Sequence, residues 1–242
     1  MIWIQALLLN GALIALAQRA PVLTAQGWIH AGALGTILWG CLGWQGWTGV
    51  VTYLILGSLV TRIGFRTKQK RGLAEGRGGR RGPENVWGSA ATGLFFAIMT
   101  KFNAANIVMF KVGFAASFAA KLADTFGSEI GKRFGKDTYL ITSLKKVDRG
   151  TEGGISIEGT LASVLGSIFM AFIMLRLSII STKYHFIVVV VSGFLATLSE
   201  SIIGAKFQNK YKLSNELVNA IQTSIASVFA IFALILYSYF LN

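Results

Sequence analysis

The chain has 242 residues, 53% of them hydrophobic and only 14% charged, with a mean hydropathy of +0.59; this composition excludes a water-soluble domain and describes a polytopic membrane protein. Its 23 Lys and Arg outnumber its 10 Asp and Glu, for a net charge of +13, but the basic residues gather between apolar runs, which argues for membrane orientation and against a nucleic-acid partner. A single cysteine, Cys41, excludes an internal disulfide and a cysteine-built metal cluster.

Crossing roughly 30 Å of hydrocarbon takes about 20 apolar residues. Runs near that length lie at 2–18, 22–42, 44–61, 85–101, 105–130, 155–175, 184–205 and 216–240, which predicts an all-α integral membrane protein of seven or eight transmembrane helices. The third and fourth are rich in Gly, Thr or Ser and have soft boundaries. Two prolines and long Leu/Ile/Val/Phe/Ala runs favour helices over a β-barrel, whose strands would alternate over about ten residues. The first run, MIWIQALLLNGALIALAQRAP, lacks a positive n-region and carries Arg19 behind it, so it reads as a retained span. His30 and His185 are isolated at span boundaries and read as structural, since a histidine metal site needs partners at ligand spacing.

Arg19, eight basic residues from Arg62 to Arg81, six from Lys132 to Arg149, and Lys206, Lys210 and Lys212 make 18 of the 23. Eight spans put all of these on one side. The opposite connections hold Lys101, Arg176 and Lys183, while Lys111 and Lys121 fall within the fifth span. The positive-inside rule makes the basic side cytoplasmic, or stromal in a plastid, with both termini opposite. The chain divides into N-terminal transmembrane helices (1–61), a basic Gly/Arg-rich loop (62–84) and a C-terminal transmembrane unit (85–242).

The loop TRIGFRTKQKRGLAEGRGGRRGPEN is too polar to cross. Its GRGGRRG core sets unhindered backbone N–H groups beside guanidinium forks, a combination suited to phosphate oxygens. It lacks the GxxxxGK spacing of a Walker loop, and a flexible topological linker is the alternative reading.

Residues 113–160 hold six of the ten acidic residues, and Asp124 and Glu129 interrupt an otherwise membrane-crossing run, where an ionisable group costs roughly 2.5 kcal/mol or more. Lys121, Asp124 and Ser128 fall at spacings of three and four and share a helix face; Glu129 lies within a turn. Many small residues here, Gly113 to Gly127, allow close approach by neighbours or ligand. Thr125, Ser128 and Glu129 add oxygens to Asp124, and Mg²⁺ is held by one or two carboxylates together with substrate phosphates. The alternative is that Asp124 pairs with Lys121 or Lys111 as interhelical glue.

The following loop, KKVDRGTEGG, brings Lys145, Lys146, Arg149 and Thr151 toward the same surface. A second polar interruption, TLSESIIGAKFQ, repeats part of the first. Its Glu200 lies deeper than a loop requires, unless it pairs with Lys206 or snorkels. Asn215 and Asn219 are explained as easily by capping or interhelical hydrogen bonds as by ligand binding.

The blocks RGGRRGPENVWGSAATG, KLADTFGSEIGKRFGKDTYLITSLKKVDRGTEGGISIEGTLAS and LSESIIGAKFQ, in order over about 60–220, resemble those of the phytyl-phosphate kinases of plants and cyanobacteria. The central block also resembles the wider group of CTP-dependent lipid kinases. The resemblance implies transfer of the CTP γ-phosphoryl group to phytyl or a related prenyl monophosphate for tocopherol and prenylquinone synthesis, at the cytoplasmic or stromal face of a bacterial (cyanobacterial) or plastid membrane. With that chemistry, the residues themselves are assigned as follows: catalytic roles on Asp124, Glu129, Lys145 and Arg149, and Mg²⁺ on Asp124, Glu129 and Glu200. Nucleotide and phosphate contacts fall on Arg77, Gly78, Gly79, Arg80, Arg81, Ser128, Lys146, Thr151 and Glu152. Asn85 and Asn106 are candidates for cytosine. More distant members often carry Asp where this chain has Glu200. Two other readings stay open: a CTP-using lipid nucleotidyltransferase, and a transporter or flippase built on two broken helices around Asp124 and Glu200.

Overall fold

The computed structural model describes residues 2–241. Its helices are α1 (Ile2–Ala17), α2 (Ala25–Arg62), α3 (Phe65–Lys70), α4 (Pro83–Phe102), α5 (Ile107–Phe134), α6 (Ile157–Arg176), α7 (Lys183–Ile203), the short α8 (Asn209–Tyr211) and α9 (Asn215–Leu241). Helices α5, α6, α7 and α9 are each long and apolar enough to cross a bilayer, and α1 is a shorter apolar helix.

Helix α2 is two limbs, not one continuous rod. Gly43 leaves the helical region at φ 69° and ψ −167°, a left-handed φ that glycine adopts without steric cost. Limbs 25–42 and 44–62 fold back on each other there. A Cβ at Gly35 would lie 3.1 Å from Trp47 Nε1, and Gly27 and Gly57, which a straight helix would hold about 45 Å apart, both pack on Arg81. The expected spans at 22–42 and 44–61 are these two limbs.

Counting both limbs, eight helical segments alternate in direction. Arg62 bonds Pro21 O (2.5 Å) and Asn85 Nδ2 donates to Glu216 Oε1 (3.1 Å) at the basic end. Tyr184 OH donates to Ala233 O (2.7 Å) near the other end. Side-chain caps from Thr24, Ser156 and Thr182 start α2, α6 and α7.

Helix α5 is the axis, packed against α6, α9, α7, α4 and α2, and residues 112–123 are continuously buried. Close packing depends on its small residues and on glycines opposite them: a Cβ at Gly166 would sit 2.8 Å from Leu122 O, and one at Gly193 3.0 Å from Ala119 Cβ. In a bilayer, where lipid competes equally for apolar surface, such close contact is what holds helices together.

One feature departs from the all-α expectation. The 135–156 connection folds into a three-stranded antiparallel sheet in the order β2-β1-β3, from β1 (Thr138–Leu140), β2 (Lys146–Val147) and β3 (Gly154–Ile155). Tyr139 sits opposite Lys146 on one side and Ile155 on the other.

Candidate phosphate and metal site

At the basic end a cavity of about 370 Å³ is walled by α5, the C-terminal end of α7 and the start of α9, and roofed by segments 75–81 and 150–156. Lys121 anchors its floor. Its ammonium donates to Asp124 Oδ2 (2.5 Å) and to Asn219 Oδ1 (2.7 Å). The pairing of Asp124 with Lys121 is therefore real, as is the interhelical role of Asn219. Asp124 nevertheless lines the cavity, and its second oxygen takes no hydrogen bond among the described residues.

Glu200 reaches the same cavity from the last turn of α7, where the helix widens into a π-turn over Gly204–Gln208; such turns recur at functional sites. Its one side-chain bond is a loose 3.5 Å contact from Ser201 Oγ, and Asp124, Lys121 and Glu152 are the charges around it. Glu152 is delivered by the TEGG segment. Gly150 and Gly153 hold φ values of 82° and 73°, and a Cβ at Gly153 would lie 2.5 Å from Ser201 O. Only glycine lets the loop dock this closely on α7. Burial pushes the Glu152 carboxyl up; Lys132 opposes this, and Asp124 and Glu75 reinforce it.

A second cluster fixes the roof. Lys68 of α3 is 1% exposed; its ammonium donates to Thr61 O (2.9 Å) and pairs with Glu129, which is 2% exposed. Lys132 bonds Glu75 (3.0 Å) and stands 3.9 Å from Glu129. Glu129, expected on metal and in catalysis, is thus paired with Lys68 and flanked by Lys132. Glu129 borders the cavity, but its charge is committed to a buried ammonium.

In the basic glycine block, Arg77, Gly78 and Gly79 are successive left-handed residues at φ 53°, 63° and 79°. Arg77 is turned onto Glu84 and Asn85. Arg77, Gly79, Arg80 and Arg81 line the cavity, whereas a Cβ at Gly78 would meet nothing within 4 Å. Arg81 is held through its backbone, donating to Val22 O (3.0 Å) and accepting from Thr24 N (3.0 Å). Its guanidinium lies over the Tyr53 ring at 5.3 Å, and its Nη1 is buried without a partner.

Other expected residues divide cleanly. Ser128, Thr151 and Asn85 line the cavity. Lys145, Lys146 and Arg149, expected on the phosphates, are not among the residues that line it. The chain reverses at Leu144 (φ 53°), leaving Lys145 and Lys146 exposed, with Lys146 spent on Asp137 at 2.5 Å. Gly78 likewise faces away. Asn106 starts α5 at the opposite end, about 27 Å along the helix from Asp124, too far to read a nucleotide bound here. His30 Nδ1 accepts from Trp87 Nε1 (2.9 Å), an interhelical bond. Sequence reasoning missed Lys68 and Glu75, whose signal was hidden in a run of loop charges.

The donor set suits Mg²⁺ bound jointly with phosphate. Asp124, Glu152 and Glu200 keep carboxylate oxygens free of hydrogen bonds among the described residues and line one cavity. No three His, Cys, Asp or Glu among the described residues are grouped closely enough to hold a metal ion by themselves, and Mg²⁺ takes one or two carboxylates with the remaining positions filled by water and phosphate.

The family described as integral membrane protein DUF92 matches residues 8–227. The uncharacterized membrane protein sll0875 of Synechocystis sp. is 46% identical over 233 residues, covering 95% of this chain and 90% of that protein. Protein VTE6, chloroplastic, of Arabidopsis thaliana is 44% identical over 215 residues, covering 86% of this chain and 64% of that protein. The uncharacterized membrane protein MJ0933 of Methanocaldococcus jannaschii is 30% identical over 220 residues, covering 88% and 87%. No solved structure matches the chain.

Proposed function

The chain belongs to the DUF92 family of integral membrane proteins, and from that membership we propose that it is a kinase moving the γ-phosphoryl group of CTP onto phytyl or a related prenyl monophosphate, for tocopherol and prenylquinone synthesis. One observation carries the reading. Asp124, Glu152 and Glu200 share a single cavity with Lys121, Lys132, Arg80 and Arg81 at the basic end of the bundle, the pairing of metal acceptors and phosphate donors that phosphoryl transfer needs. The resemblance of the 60–220 blocks to phytyl-phosphate kinases supplies the substrate and the nucleotide. Similarity to a cyanobacterial membrane protein and a chloroplastic plant protein fits the two lineages of those kinases.

In this reading an oxygen of the prenyl phosphate attacks the γ-phosphorus of CTP, the bond from that phosphorus to the β–γ bridging oxygen breaks, and CDP departs with the electron pair. The attacking oxygen is already largely ionised, so little general base is required. The obstacle is repulsion between two phosphate anions, and positioned cations lower it. Arg81 receives the acceptor phosphate; Arg80 and Lys132 receive the nucleotide phosphates. Lys121, steered by Asp124 and Asn219, presents a fixed ammonium from the floor. Asp124 and Glu200, with Glu152 beside them, would hold Mg²⁺, which would supply charge neutralisation to the nucleotide phosphates.

Purified protein incubated with phytyl phosphate, Mg²⁺ and CTP labelled at either the α- or γ-phosphorus tests the reaction. The kinase reading expects γ label in phytyl diphosphate. Label from the α-phosphorus in the lipid product would make it a nucleotidyltransferase, and no label in lipid would bring forward the transporter.

A further inference from the structure

A second cavity, about 500 Å³ and lined almost wholly by apolar side chains, lies among α1, both limbs of α2 and the start of α4. It meets the first: Tyr53, Arg81, Asn85 and Ser89 line both. Residues 31, 34, 35 and 38 of one α2 limb and 47, 50, 51 and 54 of the other give it two stripes at helical spacing. At the deep end Trp47 Nε1 donates to Asn10 Oδ1 (2.9 Å), and Asn10 Nδ2 to Ala6 O (2.8 Å). From Gly57, which packs on the Arg81 guanidinium, back to Trp47 is ten residues of helix, about 15 Å. Leu16 and Ile55 line the cavity while 80% and 51% exposed, so it opens sideways toward lipid.

Two buried groups at this cavity lack a partner, Arg81 Nη1 and Trp28 Nε1. Both are donors. Leaving buried donors unpaired is costly, and what satisfies a donor of this kind is an acceptor such as a phosphate oxygen. Gly57 makes room for the cation, since a Cβ there would stand 2.6 Å from Arg81 Nη2.

We infer that this N-terminal cavity is the hydrocarbon channel of the enzyme: it holds the chain of an isoprenyl monophosphate whose phosphate rests on Arg81, and the Asn10–Trp47 floor limits chain length. The inference rests on the lipid-phosphate reading of the first cavity and gives a role to the N-terminal helices, which the phosphate chemistry leaves unused. Continuity with the polar cavity through Arg81 is what distinguishes a substrate channel from a site for bulk lipid.

The test is binding, without nucleotide, of ten-, fifteen- and twenty-carbon isoprenyl monophosphates to the full chain in detergent, read by displacement of a fluorescent twenty-carbon analogue. Ala31→Phe and Val51→Phe, one on each limb, should each weaken the twenty-carbon ligand by about tenfold or more and leave the ten-carbon ligand nearly unchanged. Arg81→Gln should weaken all three alike. Trp47→Phe, which removes the bond to Asn10, should extend binding to a twenty-five-carbon chain and needs no overpacked variant to fold. Equal weakening at all lengths in both phenylalanine variants, no weakening in either, or displacement of the analogue by phosphatidic acid but by no isoprenyl phosphate would overturn the channel. Length-dependent binding without phosphoryl transfer from CTP would leave the channel standing and remove the kinase.

Discussion

Lys68 and Glu129 form an ion pair whose side chains are 1% and 2% exposed, tying the short α3 helix of the basic segment to the central span α5. Desolvating two charges offsets much of their attraction, so such a pair contributes little net stability, yet removing one partner leaves a buried charge uncompensated at a cost of about 3–5 kcal/mol. Glu129→Gln should therefore lower thermal stability in detergent sharply, and Lys68→Met with Glu129→Leu should recover most of it. A Glu129→Gln protein as stable as wild type but unable to transfer phosphate would return that carboxylate to the chemistry.

Lys145 and Lys146 stand on the outer side of the small sheet, with Lys146 held by Asp137. Alanine at either position should change kcat/KM by less than about twofold, within the range of an exposed pair. A loss of a hundredfold would mean that the 135–156 connection swings over the cavity during turnover.

Gly153 sits at φ 73° with no space for a Cβ against Ser201 O. A left-handed backbone costs an L-residue about 1–2 kcal/mol before any clash. Gly153→Ala should undock the loop that carries Glu152, raising proteolytic cleavage between residues 148 and 154 and depressing turnover while the helical bundle stays intact. Unchanged cleavage and turnover would separate Glu152 from the site.

Partial burial opposes ionisation of Glu75, but the charge and hydrogen bond of Lys132 outweigh it, with Lys121 and Arg81 adding, and its pKa falls below the usual glutamate value. A carboxyl depressed in the folded state stabilises above its unfolded pKa, near 4.3, and loses that contribution as pH falls through the folded value. Hydrogen exchange in segment 75–81 should therefore accelerate below about pH 4.3, by under roughly 1 kcal/mol for a half-exposed pair. Glu75→Gln should flatten that dependence; an identical acid profile in the variant would assign it elsewhere.

The all-helical membrane class and the acidic helix were legible because each rests on a one-dimensional signal: apolar run length, and carboxylates where hydrocarbon penalises them. Even the tight reversal at Gly43 was visible as two runs divided by one glycine. What stayed hidden depends on direction in space. Lys68 looks like any other charge in a polar loop, and only the fold of α3 onto α5 buries it. Lys145 and Arg149 flank the right motif, but β1 and β2 are too short to show alternation, so their placement outside the cavity lining could not be read. Asn106 was misplaced because a helix of 28 residues separates sequence neighbours of a motif by most of a membrane.

Transfer of label from γ-labelled CTP to phytyl phosphate, measured side by side for the wild-type protein and Asp124→Asn at matched folded concentration, tests the central claim most directly. The account expects labelled phytyl diphosphate from the wild type and a loss of about a hundred- to a thousandfold in the variant, with unchanged insertion and a lowered melting temperature, because the buried Lys121 ammonium loses its partner. Near-normal transfer by Asp124→Asn would contradict it, because among the described residues Asp124 is the carboxylate that both lines the cavity and holds the Lys121 ammonium.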